Sequence, residues 1–85
     1  MQRAELIRMF QTMATEIAEK DYSHVTEESV IAELGIDSLA MLELVGAMER
    51  QLHITIPDEK LVGLQTVRQL LEVVEQRIQV AGTSS

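Results

Sequence analysis

The chain has 85 residues, enough for one domain; 46% are hydrophobic but only 2% aromatic, namely Phe10 and Tyr22, so its core must be aliphatic, built from Leu, Ile, Val, Met and Ala. A net charge of −7, from fourteen acidic against seven basic residues, argues against nucleic acid and anionic membrane surfaces and leaves basic protein partners open. With no cysteine there is no disulfide framework, thiolate metal site or cysteine nucleophile.

Leu6, Phe10, Met13 and Ile17 recur at helical spacing, with Ile7, Ala14 and Ala18 widening the stripe, which predicts a first helix over residues 3–20. Residues 21–36 follow as a long loop, whose Val25, Val30, Ile31 and Leu34 pin it to the core; long loops in small domains are often functional. Gly35 ends it. A second helix runs from Ser38 to Leu52, with Asp37 as N-cap and Leu42, Val45, Met48 and Leu52 as its apolar stripe, flanked by Met41 and Leu44. Gly46 in its middle implies a close approach by something. His53 to Ile56 read as an extended link into Pro57, which suits the first position of a short third helix that Gly63 stops within one to two turns. Thr66 and Gln69 form a capping box. A fourth helix then runs to Val80, with Val67, Leu70, Leu71, Val74 and Ile78 as its apolar face. The predicted fold is all-α, a small bundle of three longer helices plus a short third one, with a domain over 1–81 and a flexible tail over 82–85.

Chemistry concentrates at Gly35-Ile36-Asp37-Ser38-Leu39, where a serine stands at the junction of a loop and a helix. Taken alone, the pentapeptide reads first as a cap, because Ser and Asp are among the commonest capping residues. A helical interaction module, in which Ser38 only caps, is one alternative class. A hydrolase is another, since the stretch is superficially similar to the Gly-Asp-Ser-Leu of some esterases. A nucleophilic serine needs a base, an orienting group and an oxyanion hole in one pocket, and neither His24 nor His53 is near Ser38 in sequence. The two histidines suit surface or capping roles, and no metal site is expected. Glu27-Glu28 and Asp58-Glu59 read as solvated carboxylates near helix starts.

The run Leu34-Gly35-Ile36-Asp37-Ser38-Leu39 resembles the attachment motif of acyl carrier proteins. Glu43-Leu44-Val45, Ile56-Pro57-Asp58-Glu59 and Thr66-Val67 follow in that family's order and spacing, so the resemblance covers nearly the whole chain. It implies the four-helix fold of the acyl-carrier type. It also implies that a phosphopantetheinyl transferase moves 4′-phosphopantetheine from coenzyme A onto the Ser38 hydroxyl. The arm's thiol then carries acyl groups as thioesters, and the chain catalyses nothing itself. The partners implied are the transferase and a ketosynthase, acyltransferase or other synthase enzyme, met by a cytoplasmic monomer, either free-standing or cut from a larger synthase. The N-terminus, without a signal peptide's basic start and apolar stretch, agrees with that location.

By the same resemblance, Asp37, Glu43 and Glu49 match acidic recognition positions. Several residues depart from the pattern of a fatty-acid carrier: Ala40 and Arg50 where acid is usual, Gly46 for a bulky apolar residue, and Leu61 and Val62 where charge is common. Recognition is therefore expected to rest more on apolar contact at Leu39, Met41, Leu61 and Val62. That favours polyketide or mixed polyketide–peptide biosynthesis over fatty acid synthesis, and Asp37 before the serine favours an acyl over a peptidyl type. Met9, Met13, Met41 and Met48 read mainly as core filler, with Met41 or Met48 as candidates to line a cavity that shelters an acyl chain.

Overall fold

The computed structural model of the chain describes residues 2–83. Its first helix, α1 (Arg3–Ala18), buries Leu6, Phe10 and Ala14 on one stripe. The Gln2 N–H donates to the Glu5 carboxylate at 3.0 Å, which satisfies one of the free donors of the first turn. The helix stops two residues short of expectation, because Glu19 turns left-handed at φ 57° and closes on Thr15 O. Asp21 then accepts from the Ser23 N–H at 2.9 Å, a local turn that competes with further helix.

The long loop is no loose strap. Tyr22, Val25 and Ile31 are buried in the core. Residues Ile31–Leu34 form a 3-10 turn that Gly35 ends in the left-handed region at φ 74°, where a side chain would be strained. The backbone of the loop is tied to the start of the last helix. Ile31 N–H donates to Gln65 O at 2.8 Å, and Val67 and Arg68 N–H donate to Ser29 O and Glu27 O at 3.0 and 2.9 Å. An antiparallel bridge between Val30 and Thr66 completes the seam.

The second helix, α2 (Ser38–Leu52), begins and ends where the sequence pattern puts it. Its buried residues are Leu44, Val45 and Met48, but Leu42 is 55% exposed and lies off the stripe assigned to it. The close approach expected at Gly46 is absent: a Cβ there would meet only the Arg50 guanidinium, at 3.5 Å. His53 closes the helix in a left-handed C-cap. Ile54 and Ile56 then alternate inward, as an extended link should.

The short third helix is a single 3-10 turn over Asp58–Lys60. Pro57 precedes it as an extended cap rather than starting it. Gly63, at φ 82°, breaks the chain soon after. The last helix, α3 (Val67–Thr83), opens with the expected capping box, Gln69 N–H to Thr66 Oγ1 at 3.3 Å and Thr66 N–H to Gln69 Oε1 at 3.2 Å. It continues past Val80 into the stretch assigned to the tail; Ser84 and Ser85 lie outside the described residues. Val67, Leu70, Leu71 and Val74 are buried against α1 and α2 residues in one aliphatic core.

Glu27 and Glu28 have roles beyond solvated carboxylates. Arg68 reaches Glu28 at 2.6 Å and Glu27 at 3.5 Å, while Arg3 pairs with both Glu27 and Glu75. These ion pairs join α1, the loop and α3 at one end of the bundle.

Two predictions follow from this packing. Gly46→Ala should raise stability by about 0.5–1 kcal/mol, because the new methyl meets only a flexible side-chain end. A higher urea midpoint at unchanged slope is the expected reading. Glu75 is held below the ordinary carboxylate range by its hydrogen bond to Arg3, against the opposing effect of burial. A carboxylate whose folded-state pKa is depressed stabilises the fold above its unfolded pKa, and that contribution is lost as pH falls through the folded value. Glu75→Gln should therefore flatten the loss of stability seen in urea titrations on acidification; the pair's partial exposure keeps the effect small.

Candidate functional site

Ser38 is the first residue of α2 and is exposed. The capping task falls to its neighbour: Asp37 Oδ1 accepts from the Ala40 N–H at 2.8 Å. Asp37 O also receives the Met41 N–H at 2.9 Å, the first bond of the helix proper. The Ser38 hydroxyl makes no hydrogen bond among the described residues, so it is spare. A cap alone does not account for it. The N–H groups of Ser38 and Leu39 likewise have no acceptor among the described residues, and they stand at the positive end of a 15-residue helix. An anion joined to this hydroxyl would be favoured there.

Ser38 lies on the rim of an open groove of about 630 Å³. Ile31, Ile36, Met41, Leu42, Leu61 and Leu64 give it an apolar lining. One wall is the loop bound to α3, with Val30 and Thr66 at its bridge. The facing wall is the segment after Pro57. No histidine lines it, and His53 stands at the far end of α2, about 22 Å away at 1.5 Å per residue. The groove offers Ser38 no imidazole base. Among the described residues no group of acidic or imidazole side chains is arranged to hold a metal ion.

The other residues singled out in the sequence fall into separate places. Asp37, Met41 and Leu61 share the groove with Ser38. Leu39 and Glu43 lie on the other flank of α2, beside Ile17 and Lys20 at the end of α1 and Gly35 at the end of the 3-10 turn. Leu39 is 66% exposed and Val62 82%, so both present apolar surface to solvent. Glu49 is turned inward: its carboxylate accepts from the Ile56 N–H at 2.7 Å and holds the link after α2. Met48 is fully buried in the core and lines no groove, unlike Met41. Ile36 and Leu64 also form groove walls, which the sequence pattern does not signal because apolar residues at loop ends carry no periodicity to assign them a face. Ile31 serves both the core and the groove.

A family model described as a phosphopantetheine attachment site matches residues 5–74. An acyl carrier protein of Treponema pallidum is 36% identical over 72 residues, which span 85% of this chain and 92% of that protein. The 3-methylorcinaldehyde synthase of a Phoma species is 35% identical over 60 residues, 71% of this chain but 2% of that protein's length. The crystal structure of an acyl carrier protein from Thermotoga maritima, 32% identical, covers 95% of both chains with a TM-score of 0.88. The chain belongs to the acyl carrier protein family, and its cofactor is covalently attached 4′-phosphopantetheine.

Proposed function

We propose that Ser38 carries the 4′-phosphopantetheine arm and that the chain presents acyl intermediates to the enzymes of a biosynthetic pathway. The observation that carries this reading is the spare, exposed hydroxyl of Ser38, released from capping by Asp37 and set beside an apolar groove. The arm supplies a thiol, which holds an acyl group as a thioester. The residues of the chain supply the rest. The unpartnered N–H groups of Ser38 and Leu39 favour the phosphodiester's negative charge. Met41, Ile36, Leu61 and Leu64 offer apolar surface to an acyl chain bound to the arm. The chain itself catalyses nothing and acts as a monomer in the cytoplasm.

We infer a place in polyketide or mixed polyketide–peptide biosynthesis, with a ketosynthase or acyltransferase as partner. Exposed Leu39 and Val62, with Ala40 and Arg50 where acid was expected, give this carrier a surface read more by apolar contact than by charge. The segment related to a synthase of methylorcinaldehyde fits that reading. Fatty acid synthesis is the second reading, favoured by near full-length likeness to small acyl carrier proteins.

Incubation with coenzyme A and a broad phosphopantetheinyl transferase should add the mass of one arm to the wild-type chain and none to Ser38→Ala. An equal gain in both would refute Ser38 as the attachment point. Loading with malonyl against long saturated acyl groups, followed by transfer to ketosynthases of each type, separates the pathways.

The acidic residues should behave differently from one another. Glu43→Lys should slow association with a basic partner enzyme at low salt and leave stability unchanged, with the difference shrinking as salt is raised. Glu49→Lys should instead lower stability, by about 1–3 kcal/mol, because the Ile56 N–H loses its acceptor. Stopped-flow association and urea unfolding on the same variants read the two effects apart.

A further inference from the structure

Residues 34–37 lead the chain from the 3-10 turn into Ser38; Leu34 and Ile36 pack against the core, but few hydrogen bonds fix the backbone between them. The Ser29–Ile31 part of the loop is fixed to α3 through backbone bonds. Past Ile31 that seam ends. Among the described residues, Tyr22 is the one residue whose side chain donates a hydrogen bond to residues 31–36: its Oη donates to Leu34 O at 2.9 Å. Tyr22 is itself firmly seated. It is 2% exposed, its ring stacks on His24 at 6.5 Å between centroids, and its N–H reaches Thr15 Oγ1 on α1 at 3.4 Å. One residue on, Lys20 Nζ lies 3.4 Å from the place a Gly35 Cβ would take. Gly35 is left-handed, and its freedom makes it a natural hinge unless the residue before it is held.

We propose that Tyr22 is a positioning residue for the loading of Ser38. Its phenol holds Leu34 O, and through Gly35, Ile36 and Asp37 this sets how the hydroxyl is offered to the phosphopantetheinyl transferase. The proposal rests on Ser38 as the attachment point. Without the bond the segment occupies more conformers, and only a fraction present the hydroxyl correctly. The transferase then meets a lower concentration of competent carrier, which raises KM and leaves kcat alone. A residue that served only the core would lower the unfolding midpoint without that split.

The test is Tyr22→Phe, which keeps the buried ring and removes only the hydroxyl. Loading by the transferase with saturating coenzyme A, at varied carrier concentration, should show KM raised about fivefold, the equivalent of one neutral hydrogen bond, with kcat unchanged. Hydrogen exchange on the unloaded proteins supplies a readout free of any enzyme. The amides of Ala40 and Met41, both bonded to Asp37, should exchange faster in the variant, while those of Leu70–Val74 stay as in wild type. An unchanged KM, or a rise in exchange spread evenly over α3, overturns the proposal. If wild type and variant both fail to load, the attachment at Ser38 fails instead, and the exchange pattern then decides the brace by itself.

Discussion

The first turn of α3 has backbone donors that the helix cannot satisfy, and the long loop provides the acceptors. Ser29 O takes the Val67 N–H and Glu27 O takes the Arg68 N–H, so the helix start is closed by another part of the chain. This single exchange fixes where the loop lies. Once it lies there, Ile31 is in the core, Val30 and Thr66 are bridged, and one wall of the groove is set. Arg68 adds a side-chain bond to the same strip through Glu27 and Glu28, and Arg3 extends it to α1 and Glu75. Surface ion pairs of this kind are individually weak, and their use here is to orient three segments already held by backbone bonds.

The other half of the site depends on a division of tasks between adjacent residues. Asp37 caps α2 and Ser38 is left free. Were the two exchanged, the hydroxyl would be consumed in the cap and the carboxylate would lie where an anion is to be placed. The groove has unequal walls for the same structural reason. The loop side has backbone partners on α3, whereas the side after Pro57 is a single 3-10 turn followed by a left-handed glycine. Val62, on that side, faces water almost completely.

Much of this was legible in the residues. The bounds of α2, its Asp37 cap and the Thr66–Gln69 box follow from local chemistry, and local chemistry decided them. Ser38 stands among several motifs in register, and the family model matches residues 5–74. What sequence pattern alone could not resolve was pairing across the chain. Nothing near Glu27 in sequence says that it meets Arg3 and Arg68, and nothing near Glu49 says that its carboxylate turns in to Ile56. Leu42 falls on the stripe that helical spacing predicts, but spacing does not give the stripe's centre, and the observed one is shifted toward Leu44. Gly46, whose residue type in mid-helix suggests a close contact, borders a gap on the surface between α1 and α2.

Tyr22 has one more consequence. It is the only tyrosine of a chain without tryptophan, so the phenol that braces Leu34 is also its dominant near-ultraviolet chromophore. The optical signal of the whole molecule therefore arises beside the segment that leads to Ser38. A change in how that segment is seated, on loading or on meeting a partner, is written into absorbance and circular dichroism without any label being added.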